Sequence, residues 1–419
     1  MNDVMQRYAT NTTWRHLTTL SLSGCGSAVD ERGLEHVATH CPLLSALDLS
    51  HCTGFRDTGL SGVLTKMFLK PSHPLRRLDL SFAQIAPKST GINTVLRHIL
   101  PIQAENAVHG PVLEELKLEG LPQLSHLPFQ AICTAAVASS NPLLSALTFL
   151  SLNESADHQS NFSLNIPRLQ FTAPNIEHLG LFHVALSSGW TPSVNNHHHL
   201  PDGTVVSLPE VGWKRLKTLL LSRFSVHSGS TTMMDEFAVS CMIHKSLQLQ
   251  VLHLNYFTDS RFSLGGGVIP QLQTLKELSL AKSTVERGRS ERHNTFALLF
   301  AYRCGITSNI QRLSVAGCRY SFDDKVCEEM VSSAVLDNSE RWCLKHLDAT
   351  DTAITEKGLK VVLKCVQEIG CLDEFVIVIE GCRYVPRDIR QAVARAFGSG
   401  GGGGGARKLA SLLLESEDA

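Results

Sequence analysis

The sequence predicts an α/β solenoid, a stack of strand, turn and helix units in which parallel strands line one face and helices cover the other. Three observations carry that prediction. A leucine pattern recurs along nearly the whole chain, amphipathic runs of helical period fill the gaps between its copies, and an elongated array of such units accounts for 419 residues without an internal boundary.

The pattern is clearest near the start. WRHLTTLSLSGC holds Leu17, Leu20 and Leu22 followed by Cys25, and PLLSALDLSHC holds Leu44, Leu47, Leu49 and Cys52, which is L-x-x-L-x-L-x-x-C twice. Further copies begin at Leu75, Leu113, Leu147, Ile176, Leu216, Leu249, Leu275, Ile310, Leu344 and, degraded, at Leu372. Their mean spacing of about 32 residues exceeds the usual leucine-rich period of roughly 20 to 29, so several copies carry insertions. Leu47 and Leu49 stand two apart and face the same side of a strand, while Asp48 between them faces the other.

The intervening segments read as helices. Residues 33–41 (GLEHVATHC), 59–69 (GLSGVLTKMFL), 91–100 (GINTVLRHIL) and 357–369 (KGLKVVLKCVQEI) are amphipathic, and in the last of them Leu359, Val362, Leu363 and Val366 fall at helical spacing. Strand, turn, helix, strand implies parallel strands. The unit is thus a leucine-rich repeat, and the expected fold is a horseshoe-shaped solenoid with strands on the concave face and helices on the convex face. Each buried leucine stabilises the stack by about 1.5 to 3 kcal/mol.

The domain plan follows. Residues 1–13 are a lead-in, 14–397 an array of about twelve irregular repeats, 398–405 (GSGGGGGG) a flexible linker, and 406–419 a tail. Residues 382–397 (CRYVPRDIRQAVARAF) form the last turn and helix, with Pro386 near its start. The tail is expected to be disordered; a short helix through Leu409, Leu412 and Leu413 is the alternative.

Composition narrows the function. A formal net charge of -1 gives no global field for nucleic acid or an anionic membrane, and no run of the sequence has the length and apolarity of a membrane span. The start has no signal-peptide character, so the protein is placed in the cytoplasm or nucleus. The twelve cysteines are scattered, with no C-x-x-C pair, which suits reduced, packed thiols better than disulfides or metal ligands. No cofactor, metal or catalytic site is expected. His197, His198 and His199 are adjacent and cannot all meet one ion, Gly265–Gly267 lacks the lysine and hydroxyl of a phosphate loop, and Ser23-Gly24-Cys25-Gly26 is explained by the repeat. The chain reads as a binding protein, not an enzyme.

The segment SLSGCGSAVDERGLEHVATHCPLLSALDLSHCTGFRDTGL resembles the cysteine-containing leucine-rich repeats of F-box proteins, the substrate-recruiting subunits of Skp/cullin/F-box ubiquitin ligases. The signature is L-x-L-x-x-C, an acidic or polar turn, G-L, then a helix ending near C-P. It is matched fully from Leu47 to Leu60 and partly at Leu313 to Cys318 and Ile354 to Leu359, whereas Phe224 and Phe257 occupy the cysteine position in the middle repeats. Nothing like the L-P-x-E-L opening of an F-box stands before Trp14, so the ligase connection comes from the repeat type alone. The resemblance implies a substrate-recognition module with Skp and cullin components as further partners. The alternative is a free-standing regulator similar to ribonuclease-inhibitor repeats or a GTPase-activating protein of that architecture.

The partner site is expected on the concave face and insertion loops. The exposed residue between the paired leucines runs Ser21, Asp48, Asp79, Lys117, Ser151, Gly180, Leu220, His253, Ser279, Ser314 and Asp348. Phe149, Phe182 and Tyr256 stand beside the strands, and aromatic enrichment marks interface centres. The longest insertion, residues 182–213, carries Trp190 and Trp213; Trp190 is the expected exposed contact and Trp213 the anchor in the core. Trp190, Phe182, Phe149, Tyr256, Asp48, Asp79 and His253 are therefore the candidate partner-binding residues.

Overall fold

A computed structural model describes residues 12–69, 74–86, 91–106, 112–121, 124–125, 127–153, 164–187, 197–199, 205–207, 212–222, 225–226, 242–243, 246–256, 274–282, 309–319, 322–336, 343–397 and 403–414. They belong to two compact units, Met1–Leu216 with Phe224–Lys245, and Lys217–Arg223 with Ser246–Ala419.

In the first unit, β1 (Thr19–Ser21), β2 (Ala46–Asp48), β3 (Arg77–Asp79), β4 (Glu115–Leu118), β5 (Phe149–Asn153) and β6 (His178–Phe182) pair in parallel, each with the next in the chain. Their central leucines, 20, 47, 78, 116, 150 and 179, are Cα partners in one row, and the leucines two residues on form a second buried row. Between the strands run α1 (Glu31–His40), α2 (Asp57–Leu69), α3 (Gly91–Asn106), α4 (Leu127–Ser139) and α5 (Ile166–Thr172). Asp30 starts α1 by accepting a hydrogen bond from Gly33 N at 3.1 Å, a common N-cap.

The second unit repeats the plan. Strands β7 (Thr218–Ser222), β8 (Val251–Asn255), β9 (Glu277–Ser279), β10 (Arg312–Ser314), β11 (His346–Asp348) and β12 (Val376–Val378) pair in parallel in chain order. Its described helices of a turn or more are α6 (Asp324–Leu336), α7 (Glu356–Glu368), α8 (Arg387–Phe397) and α9 (Gly403–Leu414). Parallel strands joined through helices, with leucine rows between the two layers, are the leucine-rich-repeat solenoid that the sequence predicts.

The G-L of the repeat signature has a steric reason. A Cβ on Gly59 would overlap the Glu31 side chain of the preceding repeat, and a Cβ on Gly358 would overlap the Asp324 carboxylate. Those acids are engaged in stacking one repeat on the next. Glu31 accepts a hydrogen bond from Arg56 N, and Asp324 accepts from Thr355 N at 2.8 Å and Thr355 Oγ1 at 2.6 Å, just where α7 begins. The signature cysteines are fixed as well: the thiols of Cys52, Cys318 and Cys382 donate to the carbonyls of Leu22, Leu280 and Ala349 in the preceding repeat, at 3.2, 3.1 and 3.0 Å.

All ten described cysteines are free thiols, and seven are buried. Burial pushes the thiols of Cys41, Cys52 and Cys365 up to about 11 and that of Cys133 to about 12. At neutral pH these groups are therefore protonated, and a thiol reagent is expected to react with few of them until denaturant is added. The pH effect has a definite sign: for an acid whose folded pKa is raised, the stabilisation is full below the unfolded value near 8.5 and is lost as pH rises toward 11. Melting temperature should fall across that window, and a flat profile would place the thiols in solvent.

Two details differ from the sequence reading. The last repeat is two residues out of the expected register, because Ile377, not Phe375, is the Cα partner of Leu347. A shift of two keeps every side chain on its expected face, which is why the pattern from Leu372 is ambiguous. Phe375 is still buried, its ring edge-on to Phe397 at 6.4 Å between centroids. The tail forms α9 instead of the expected disorder, beginning inside the glycine run at Gly403. Tertiary burial overrides poor helix propensity here: Ala406, Leu409, Ala410 and Leu413 are all buried, α9 packs against α7 and α8, and Arg407 pairs with Asp373.

Candidate protein-binding face

The exposed side of each sheet is laid out in straight columns because parallel strands in register place equivalent residues side by side. In the first unit Ser21, Asp48, Asp79, Lys117, Ser151 and Gly180 are successive Cα partners; in the second Leu220, His253, Ser279, Ser314 and Asp348 are. All eleven positions expected on the open face stand in register, but Ser151, Gly180 and Ser279 are buried and not exposed as expected: Phe182 folds over Gly180, and the hydroxyls of Ser151 and Ser279 turn to Glu119 and Asn255.

Several of these residues also have a structural task. Asp48 Oδ1 accepts from Ser50 N at 2.9 Å and Ser50 Oγ at 2.7 Å, and its Oδ2 accepts from Ser21 Oγ at 2.7 Å. Asp79 and Asp348 likewise accept from the N–H two residues on, at 2.9 and 3.1 Å. Desolvation pushes the Asp48 carboxyl up, but the hydrogen bonds from Ser50 and Ser21 and the charge of Lys117 outweigh it and hold the pKa below its ordinary value. These acids fix the turn after each strand. What remains for a partner is the outward part of each carboxylate.

In the first unit Asp48 and Asp79 lie beside Arg77, Glu115 and Lys117 around a shallow depression of about 170 Å³. Arg77 Nε stands 4.0 Å from Glu115 Oε1, and Lys117 Nζ lies over the Phe149 ring, 5.1 Å from its centroid. Phe149 also meets His178 at 5.7 Å between centroids. Phe182 ends β6 and folds over Gly180, where a Cβ would stand 3.0 Å from its ring, so a glycine in the column leaves room for an aromatic. In the second unit His253 Nε2 is 2.8 Å from Glu277 Oε1, with Arg312 Nε 3.7 Å from the same carboxylate.

One periodic feature was missed in the sequence. In ten of the strands the backbone turns left-handed four residues after the central leucine or isoleucine: at Gly24, His51, Phe82, Gly120 and His183 in the first unit, and at Tyr256, Lys282, Gly317, Asp351 and Gly381 in the second. The six non-glycine residues each give up about 1 kcal/mol to stand there. The ladder between repeats imposes the turn, since the N–H of His51 donates to Ser81 O at 2.9 Å and that of Lys282 to Ala316 O at 2.6 Å. Along this rim His51 stacks on Phe82 with centroids 4.8 Å apart, and Phe82, 47% exposed, covers Gly120. Lys282 Nζ hydrogen-bonds Tyr256 Oη at 3.0 Å and lies over the same ring. The signal was present, because the residue before the signature cysteine is Gly24, Gly317 or Gly381 in three repeats.

Of the candidate residues, Asp48, Asp79, His253, Phe149, Phe182 and Tyr256 all lie on the open face or its rim, none of them in the core. Trp190 and Gly265–Gly267 lie outside the described residues. Residues His197–His199 form a strand antiparallel to Val205–Ser207, and among the described residues no group of three metal-ligating side chains is found. No described helix is long and apolar enough to cross a membrane.

A family model described as a leucine-rich repeat matches residues 40–64, the stretch that carries the full signature. Among solved structures, a chain of the yeast Rad7 and Elc1 complex is similar over 91% of this chain and 74% of its own, with a TM-score of 0.50 and 13% identity. A leucine-rich-repeat protein of Leptospira interrogans covers 93% of this chain and 90% of its own at a TM-score of 0.41 and 14% identity. The functional domain of InlJ from Listeria monocytogenes covers 89% and 56%, at 0.32 and 12%. No curated protein sequence matches the chain.

Proposed function

We propose that the chain is a protein-recognition module that holds a partner against the open sheet face and its rim, and that it serves as the substrate-recognition part of a ubiquitin ligase of the Skp/cullin/F-box type in the cytoplasm or nucleus. The observation that carries the reading is the face itself: in-register columns of polar and charged side chains, bordered by Phe82, Phe149, Phe182 and Tyr256. Such a surface offers hydrogen-bonding groups around aromatic anchors, the composition that gives interfaces their affinity. The match of residues 40–64 to a leucine-rich repeat supports it, and so does the fold shared with a chain from the complex of Rad7 and Elc1. That residues 14–397 act as one array, and that Trp190 in the long insertion joins the site, belong to the same proposal. The module contributes binding and not chemistry.

Affinity capture with the full chain from its source cell tests the reading. The expected result is recovery of a Skp-type adaptor and a cullin together with a substrate protein. Recovery of a GTPase alone would replace the ligase role with a GTPase-activating one, and recovery of no protein would remove the module reading altogether.

A further inference from the structure

The second unit ends in an unpaired sheet edge. Among the described strands β12 pairs with β11 alone, so its other side presents backbone N–H and C=O groups without a ladder partner. An edge of this kind is a template for an added strand. Beside it opens a cavity of about 410 Å³, walled by Ile377 from the strand, Ile379 just after it, and Val393, Phe397, Arg387 and Arg390 from α8.

The two arginines are in an unusual position. They occupy the first and fourth residues of α8, one turn apart, where the positive end of the helix macrodipole disfavours cations. Among the described residues neither guanidinium makes an ion pair, and Arg390 Nε is buried with no hydrogen-bond partner. Glu380, in the turn after β12, is the one acid on the cavity lining. Asp388 shares this first turn and offsets part of the positive charge, yet among the described residues it forms no ion pair with either arginine, so both guanidiniums stay open to a partner group from outside the fold. The chemistry that suits them is a carboxylate, which a planar guanidinium grips with paired hydrogen bonds.

We propose that this edge is a second docking site, separate from the open sheet face, for an extended acidic segment of a partner protein. The segment adds a strand beside β12, places an apolar side chain in the cavity, and gives a glutamate or aspartate to Arg387 and Arg390. Backbone hydrogen bonds supply affinity in this mode and the side-chain pockets supply specificity. The short edge restricts the added strand to a few residues.

The test uses the full chain and a fluorescein-labelled peptide of alternating valine and glutamate, read by anisotropy at low salt. The expected result is binding at least tenfold tighter than for the same peptide with glutamine in place of glutamate. That preference should be lost in the Arg387→Gln/Arg390→Gln variant, whose thermal melt checks that it folds. Methylating alternate backbone nitrogens of the peptide should also abolish binding, which leaves the protein untouched. Equal affinity for the glutamate and glutamine peptides, indifference to N-methylation, or no binding at all would overturn the proposal. Binding that emerges only when residues 415–419 (ESEDA) are removed, or self-association of the chain through this edge, would assign the site to the chain's own sequence and overturn the partner reading.

Discussion

Leu47→Asp is expected to unfold the first unit, with a loss of about 5 kcal/mol or more. Leu47 is 2% exposed and its Cα neighbours in the sheet are Leu20 and Leu78, so the new carboxylate would lie between leucines with no donor in reach. The change removes about 1.5 to 3 kcal/mol of apolar burial and adds a desolvation penalty of several kcal/mol for the unpaired charge. Domains are stable by about 5 to 15 kcal/mol, so the substitution takes most of the margin. Asp48→Ala is the control on the neighbouring face. The sequence alone suggests that it is nearly neutral, but the structure gives Asp48 three hydrogen bonds from Ser50 and Ser21, so a loss of about 1 kcal/mol is expected. Because the Asp48 carboxyl has a lowered folded pKa, its contribution is present above the ordinary carboxylate value near 4 and is lost as pH falls through the folded value. Denaturant titrations of the three proteins at pH 7 and pH 3 should therefore show the Asp48→Ala difference shrink in acid. Equal losses for the two variants at pH 7 would mean that the strand faces are reversed.

Trp213→Ala is expected to cost about 4 kcal/mol. Trp213 is fully buried, and its indole N–H donates to Ala173 O at 2.8 Å. Ala173 is the C-cap of α5, where helix carbonyls run out of partners, so the indole both fills volume and satisfies a helix end. Truncation leaves a large cavity, which places the loss in the range of about 3 to 5 kcal/mol. Trp213→Phe separates the two contributions: it restores most of the volume and leaves the carbonyl unsatisfied, with an expected loss of about 1 to 3 kcal/mol. The comparison is made by urea unfolding. A phenylalanine variant as unstable as the alanine variant would show that the hydrogen bond, not the volume, dominates.

The sequence revealed most of the fold because one rule repeats. Wherever two leucines stand two apart, as at Leu47 and Leu49 or Leu278 and Leu280, strand geometry alone settles which side is buried, and the columns follow. Trp213 as a core anchor was legible from its place three residues before Leu216. What stayed hidden depends on contacts between repeats. The left-handed rim at His51 and Phe82 arises from hydrogen bonds to the following repeat, and neither residue favours that backbone by itself. The second task of Asp48 lies in Ser50 and Ser21, one of them in another repeat. Helix α9 could not be read from a glycine run; its burial against α7 and α8 creates it.

Of the candidate site, the open-face residues were legible as strand positions, since the alternation that buries Leu252 and Leu254 turns His253 the other way, but not their exposure: Ser151, Gly180 and Ser279 are covered by neighbouring side chains. Their pairings were not legible either. Glu277 engages both His253 and Arg312, and Lys117 turns to Phe149 instead of Asp79, because side-chain reach across neighbouring strands is set by register and twist.

The most direct measurement of the central claim is quantitative capture of the partner by the full chain and by two groups of variants. One group changes the open face, Asp79→Arg, His253→Ala and Tyr256→Ala. The other changes exposed residues on the helix side, Lys364→Ala and Glu368→Ala. With melting unchanged, the open-face variants are predicted to lose about tenfold or more in affinity, the effect of removing an interface anchor, while the helix-side variants bind as the parent does. Capture unaffected by the open-face changes, or lost in the helix-side ones, would contradict the account.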